Sequence, residues 1–84
     1  MHKMSAAQAY EELTLTENSV EVARVAFNKA KLDFASAKAY SGDEAVIEKR
    51  ANAVLMASNS YHDALVVYAE SVAALGRSVT AIYR

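Results

Sequence analysis

Tyr40-Ser41-Gly42-Asp43-Glu44 is the one strong interruption in a chain otherwise rich in helix-forming residues. Gly42 favours the left-handed backbone conformation that ends many helices. Ser41 and Asp43 have side chains that accept hydrogen bonds from the free amides at the start of a following helix. The sequence therefore predicts one helix over residues 5–40, a turn at 41–43, and a second helix over residues 43–82.

The start of the first helix is marked by Ser5, with Gln8 three residues later, a pair that fits a capping box. Poor helix formers and potential caps cluster at residues 14–19, and a break there would give a three-helix bundle. The apolar pattern passes through this segment in phase, so we expect one continuous helix. Gly76 is a second weak point, because glycine costs about 1 kcal/mol against alanine inside a helix.

The composition agrees with an all-α single domain. The 84 residues are 54% hydrophobic, with two glycines and no proline, cysteine or tryptophan. Sheet proteins and disordered chains do not share this composition, and a chain without cysteine has neither disulfides nor thiolate zinc sites.

Apolar residues repeat every seven positions in both predicted helices, as in a two-helix coiled coil. In the first helix the two rows are Ala6, Leu13, Val20, Phe27, Phe34 and Ala9, Thr16, Ala23, Ala30, Ala37. In the second helix they are Ala51, Ser58, Leu65, Val72, Val79 and Ile47, Val54, Tyr61, Tyr68, Leu75, Ile82. We call these facing rows the seam. Folding about Gly42 would place large residues opposite small ones, with Phe27 near Ser58 in an approximate register. The two phenylalanines are the predicted core anchors.

A second set of apolar residues in the first helix points away from the seam. This outer stripe consists of Leu15, Val22, Val25 and Leu32. The second helix has further apolar residues that would broaden its seam, namely Leu55, Ala57, Ala64, Val66, Ala69 and Ala73, and one narrow polar row of Lys49, Asp63, Glu70, Arg77 and Arg84. Such wide apolar coverage is typical of a helix within a bundle of more than two. We therefore expect the hairpin to assemble into a four-helix or larger bundle, with the outer stripe as the partner interface.

No arrangement of residues indicates catalysis. Ser58 and His62 share a helix face, but Asp63 is rotated by about 100° from His62 and is poorly placed to orient its ring. His62 has no ligand-type neighbour three or four residues away, and there is no glycine-rich phosphate loop. We expect no enzymatic activity, no cofactor, no metal site and no small-molecule substrate.

Charge and hydropathy exclude other partners. The net charge of −1 lacks the basic excess that nucleic-acid binding requires, and the longest apolar run, residues 64–69, is far shorter than a membrane span. Glu11, Glu12, Glu17 and Glu21 precede Arg24, Lys29, Lys31 and Lys38, an order that complements the helix dipole. The sequence predicts a soluble, cytoplasmic protein that binds neither nucleic acid nor membrane, although export without a signal peptide would leave no trace in it.

The turn also carries a resemblance. Tyr40-Ser41-Gly42 between two alanine-rich helices resembles the small secreted helical-hairpin proteins named for a Trp-x-Gly motif. The match covers the layout and three residues. That family also has a Tyr-x-x-x-acid signal after its second helix, and neither Tyr61 nor Tyr68 is followed by an acid at that distance, while Tyr83 is too near the end.

Two functions are consistent with these features. The first is a non-enzymatic protein–protein interaction module, a self-associating hairpin that acts as a small regulator, inhibitor or assembly factor. Its partner would be a second copy, another protein, or both. The alternative is a structural component of a larger assembly such as a virion or a secretion apparatus, including a secreted helical-hairpin protein.

Overall fold

Two long helices account for nearly all of the described chain. A computed structural model describes residues 5–82 as α1 (Ala6–Tyr40) and α2 (Glu44–Ile82), which lie side by side as an antiparallel hairpin. The molecule measures 63 × 18 × 15 Å. Residues 5–82 contain no strand, so the predicted all-α hairpin is confirmed.

The amino end of α1 is held by the predicted capping box. The Gln8 backbone N–H donates to Ser5 Oγ at 3.2 Å, and the Ser5 N–H donates to Gln8 Oε1 at 3.1 Å. Two amide groups that would otherwise lack partners are thereby satisfied, which fixes where the helix begins.

The turn lies where the sequence placed it, but the predicted role of Gly42 is wrong. No described residue has a positive φ. The chain instead leaves α1 through an extended Ser41, with φ −94° and ψ 133°, whose N–H donates to the Ala37 carbonyl at 2.8 Å. Because this extended residue redirects the chain, no left-handed residue is needed. Asp43 caps α2 as expected, its Oδ1 accepting from the Ala45 N–H at 2.9 Å, and the helix begins one residue later than predicted.

The weak segment at residues 14–19 is continuous helix, as predicted. The hydroxyls that could have capped a new helix donate to carbonyls of the preceding turn instead. Thr14 Oγ1 donates to Tyr10 O at 3.1 Å, Thr16 Oγ1 to Leu13 O at 2.9 Å, and Ser19 Oγ to Leu15 O at 3.1 Å. Such bonds occupy the hydroxyls without breaking the backbone ladder.

On α1 the predicted seam is confirmed throughout. All ten residues of its two rows are half-buried or buried, and Ala9 is 1% exposed. Phe27 and Phe34 both face α2 but are only half-buried. The ring of Phe27 contacts Tyr61, one turn beyond the Ser58 that the approximate register placed opposite it.

On α2 one predicted row is confirmed and the other is partly wrong. Described residues of the row that begins at Ile47 are half-buried, as are Ala51 and Ser58. Leu65, Val72 and Val79 are instead exposed, and their place in the seam is taken by the covered small residues Ala57, Ala64, Ser71 and Ser78. Tyr68 and Leu75 are the half-buried large residues at this end, and close packing favours small side chains beside large ones.

The broadened seam predicted for α2 is also wrong for most of its members. Ala57 and Ala64 are half-buried, whereas Leu55, Val66, Ala69 and Ala73 are exposed. A single neighbouring helix covers only one side of α2. The predicted polar row is exposed at Lys49, Asp63, Glu70 and Arg77, while the side chain of Ile82 and residues Tyr83 and Arg84 lie outside the described part.

The hairpin buries very little of its apolar surface. Among the described residues, no large side chain is fully buried, and Ala9 is the one buried apolar residue. The chain exposes 6531 Å², whereas a compact protein of 9.1 kDa exposes about 4,900 Å². Each chain therefore presents about 1,600 Å² more surface than a compact monomer of its mass.

Candidate interaction surface

The outer stripe lies on the side of α1 that faces away from α2. Its four side chains are exposed to the extent of 65% for Leu15, 70% for Val22, 54% for Val25 and 71% for Leu32. These fractions are high for aliphatic side chains, which each gain roughly 1.5–3 kcal/mol on full burial. The sequence predicted that these four residues point outward together, and the structure places them so.

The stripe is continuous because of its spacing along the helix. Its members are separated by seven, three and seven residues, and each step brings the next side chain back to nearly the same face. From Leu15 to Leu32 the surface is about 25 Å long at 1.5 Å per residue. Asn18 and Lys29 are the polar residues that lie within it.

A shallow groove of about 620 Å³ adjoins the stripe on one side of the hairpin. Leu15 and Val22 form its α1 wall, and α2 contributes Ser60 and Ala64. Its remaining lining residues are Asn18, Ser19, Ala23 and Ala26. The small side chains between the two helices let a third helix approach closely. This groove was not predicted from the sequence, although small residues at 19, 23 and 26, next to the stripe, could have indicated it.

Apart from Lys29, the charged residues of α1 between Leu15 and Leu32 lie outside the stripe. Arg24 makes a two-pronged ion pair with Glu21, in which Arg24 Nε donates to Glu21 Oε2 at 3.0 Å. The hydrogen bond from Arg24 is the main cause that lowers the pKa of the Glu21 carboxyl below its usual value of 4.5. Lys31 Nζ lies 4.5 Å from the centre of the Phe27 ring. These contacts hold Glu21, Arg24 and Lys31 against groups of the same chain, outside the stripe.

A second depression lies at the turn end of the hairpin. It encloses about 460 Å³ and is lined by Asp33, Tyr40, Val46 and Arg50, together with Ser36, Ala37 and Ser41. The side chain of Tyr40 is 89% exposed there. The one acid and one base give this cleft no net charge.

The side chains that could take part in catalysis or metal binding are dispersed. Ser58 is half-buried in the seam, while His62 and Asp63 are exposed on α2. Within residues 5–82, no three histidine or acidic side chains are grouped closely enough to hold a metal ion. Neither α1 nor α2 combines the length with the apolar character needed to cross a membrane.

The structure adds an apolar surface on α2 that the sequence assigned to the seam or did not consider. Leu55 and Met56 are 61% and 70% exposed, and Leu65, Val66 and Val67 are exposed further along. These residues point in several directions around α2 and do not form a single narrow stripe.

The fold and this surface define an all-α helical hairpin with unpartnered apolar faces. Comparison of the chain with protein-family models, with curated proteins and with solved structures found no match. The functional argument therefore depends on the chain's own geometry.

Proposed function

We propose that this protein is a non-enzymatic protein–protein interaction module, a cytoplasmic helical hairpin that self-associates and acts as a small regulator, inhibitor or assembly factor. The outer stripe is its contact surface. Neither a metal, a cofactor nor a small-molecule substrate takes part in this activity.

The observation that carries the proposal is the exposure of all four stripe residues in a chain that buries no large described side chain fully. Scattered exposed aliphatic residues are normal on a monomer. Four of them in phase, next to an apolar groove, form a contiguous patch of the kind that marks an interaction site. Covering this patch would supply the apolar burial that the isolated hairpin lacks.

Val25→Glu tests the proposal, with Ala53→Glu as its matched control. Val25 lies in the middle of the stripe, whereas Ala53 is an exposed apolar residue of α2, at least about 100° around that helix from the seam residues Ala51 and Val54. A charge buried without a partner costs several kcal/mol, while a solvated charge costs little.

Sedimentation and circular dichroism on the same samples give the readout. We expect the wild-type protein and Ala53→Glu to sediment as oligomers and Val25→Glu as a helical monomer. A wild-type monomer at all concentrations, or a Val25→Glu oligomer of unchanged mass, would contradict self-association through this stripe.

The second candidate function is a structural component of a larger assembly. The exposed Leu55 and Met56 on α2 favour it, because a hairpin with two apolar surfaces can add copies without closing. Sedimentation separates the two functions. A single discrete mass supports the module, and a mass that keeps growing with concentration supports the open assembly.

A further inference from the structure

The outer stripe has the same pattern from either end. Written along α1 it is Leu15, six residues, Val22, two residues, Val25, six residues, Leu32. Leucines stand at both ends and valines at both inner positions, each at equal distance from the midpoint between residues 23 and 24. A patch with this symmetry meets an antiparallel copy of itself with leucine against leucine and valine against valine, so it suits an isologous interface, in which one patch on a protein meets the same patch on its copy.

Resting on the proposed self-association, we propose that the stripe is the interface of a two-fold symmetric homodimer in which α1 packs antiparallel against α1 of a second copy. A residue of one copy then lies at the same height along the helix axis as the residue of the second copy whose number brings the sum to 47. Leu15 packs against Leu32 of the second copy, and Val22 against Val25 of the second copy. The dimer contains four helices, with the two α1 helices inside and one α2 helix on each outer side.

The charges of α1 favour this direction over a parallel one. The half of α1 before the midpoint carries four acids and no base, namely Glu11, Glu12, Glu17 and Glu21. The half after it carries the bases Arg24, Lys29, Lys31 and Lys38, with Asp33 the one acid. Antiparallel packing places each acidic half beside a basic half, whereas parallel packing would place acid beside acid and base beside base.

The groove beside the stripe fits the same arrangement. It follows α1 from Leu15 to Ala26, and the antiparallel register brings residues 21–32 of the second copy to this height. Val22 and Val25 of the second copy then lie at the heights of Val25 and Val22, beside the small Ala23 and Ala26 that line the groove.

The exposed area is also sufficient for a stable dimer. A standard interface buries about 800 Å² on each partner. The surface that this chain exposes beyond that of a compact monomer is about twice as large. The chain therefore exposes enough surface to form one interface of standard size along the stripe.

Disulfide trapping tests the register directly, since the protein has no cysteine of its own. Leu15→Cys and Leu32→Cys are made as separate full-length proteins, mixed in denaturant, refolded together and oxidised. Each substituted residue is exposed in the hairpin, so folding of the chain does not depend on it. We expect the mixed 15–32 disulfide to dominate and each variant alone to stay uncrosslinked, because its own cysteines would be about 25 Å apart.

Glu17→Cys with Lys31→Cys is the matched control pair. Their numbers add up to 48, so they lie at nearly the same height in the proposed dimer, and both residues are exposed. They sit on the charged side of α1, at least about 100° around the helix from the centre of the stripe. We expect no mixed disulfide from this pair.

A charge exchange gives an independent measurement. Leu15→Glu and Leu32→Lys should each be monomeric alone, because each homodimer would hold two mismatched contacts. Mixed together they should form a dimer with one Glu–Lys pair and one Leu–Leu pair.

The outcomes separate the two proposals. A wild-type monomer at all concentrations overturns self-association itself. An oligomer that gives 15–15 and 32–32 disulfides overturns the antiparallel direction, and an oligomer with no stripe disulfide and no rescue by charge exchange overturns the stripe as its interface. In both latter cases self-association stands.

Discussion

The ring centres of Phe27 and Tyr61 lie 5.9 Å apart, with their planes tilted by 42°. This is the one aromatic pair between the helices in the described part of the chain. It sets the height at which α1 and α2 meet, because two large rings in a seam of mostly small residues fit together in few positions. Both residues are half-buried, so the pair lies at the edge of a thin core.

Truncation of this pair is expected to destabilise the hairpin moderately. Phe27→Ala should lower the free energy of unfolding by about 2 kcal/mol, less than the roughly 3–5 kcal/mol of a fully buried phenylalanine. A double-mutant cycle of Phe27→Leu and Tyr61→Leu in urea melts should give a coupling of about 0.5–1.5 kcal/mol. Zero coupling would show that the rings do not meet in solution.

Replacing Gly76 should stabilise α2. The residue is exposed in the helix interior, and a Cβ added there meets no atom within 4 Å. Gly76→Ala is expected to raise the free energy of unfolding by about 0.5–1 kcal/mol, measured by thermal and urea melts. Thr80 Oγ1, which donates to the Gly76 carbonyl at 2.8 Å, keeps its partner in this variant. A loss of stability would mean that another chain packs closely against Gly76.

The Glu21–Arg24 pair predicts a pH effect of defined sign. Arg24 lowers the pKa of Glu21 in the folded chain. The pair therefore stabilises the fold at a pH above the usual pKa of a glutamate carboxyl, and this contribution is lost as the pH falls through the lowered pKa of Glu21 in the folded chain. Carboxyl-carbon NMR titration should find Glu21 below 4.5 in the wild-type protein. Arg24→Gln should raise the pKa of Glu21. An unchanged Glu21 titration in this variant would show that the pair does not persist in solution.

Thermal stability should depend on protein concentration. If the hairpin buries its stripe in a dimer, mass action links unfolding to dissociation, and the thermal midpoint rises with concentration. Val25→Glu should have a midpoint independent of concentration and below that of the wild type, while Ala53→Glu should follow the wild type. Identical midpoints for dilute and concentrated wild-type protein would argue against a dimer coupled to folding.

Local signals in the sequence determined the hairpin. The capping box of Ser5 and Gln8, the Asp43 cap and the seven-residue rows of α1 each act within a few residues, so they could be found without knowing the fold. The outer stripe was predictable for the same reason, because α1 has two apolar faces separated by charged residues and helix geometry alone keeps them apart.

Only the tertiary structure decided which face of α2 turns inward. Apolar residues cover most of α2, and periodicity favoured the large Leu65, Val72 and Val79 over the row of Ala64, Ser71 and Ser78, two of which are serines. In the folded hairpin the small row is covered and the large row is exposed, because closely packed helices accommodate small side chains beside large ones such as the half-buried Tyr68 and Leu75. The conformation of Gly42 was settled in the same way, since the extended Ser41 redirects the chain before the glycine is reached.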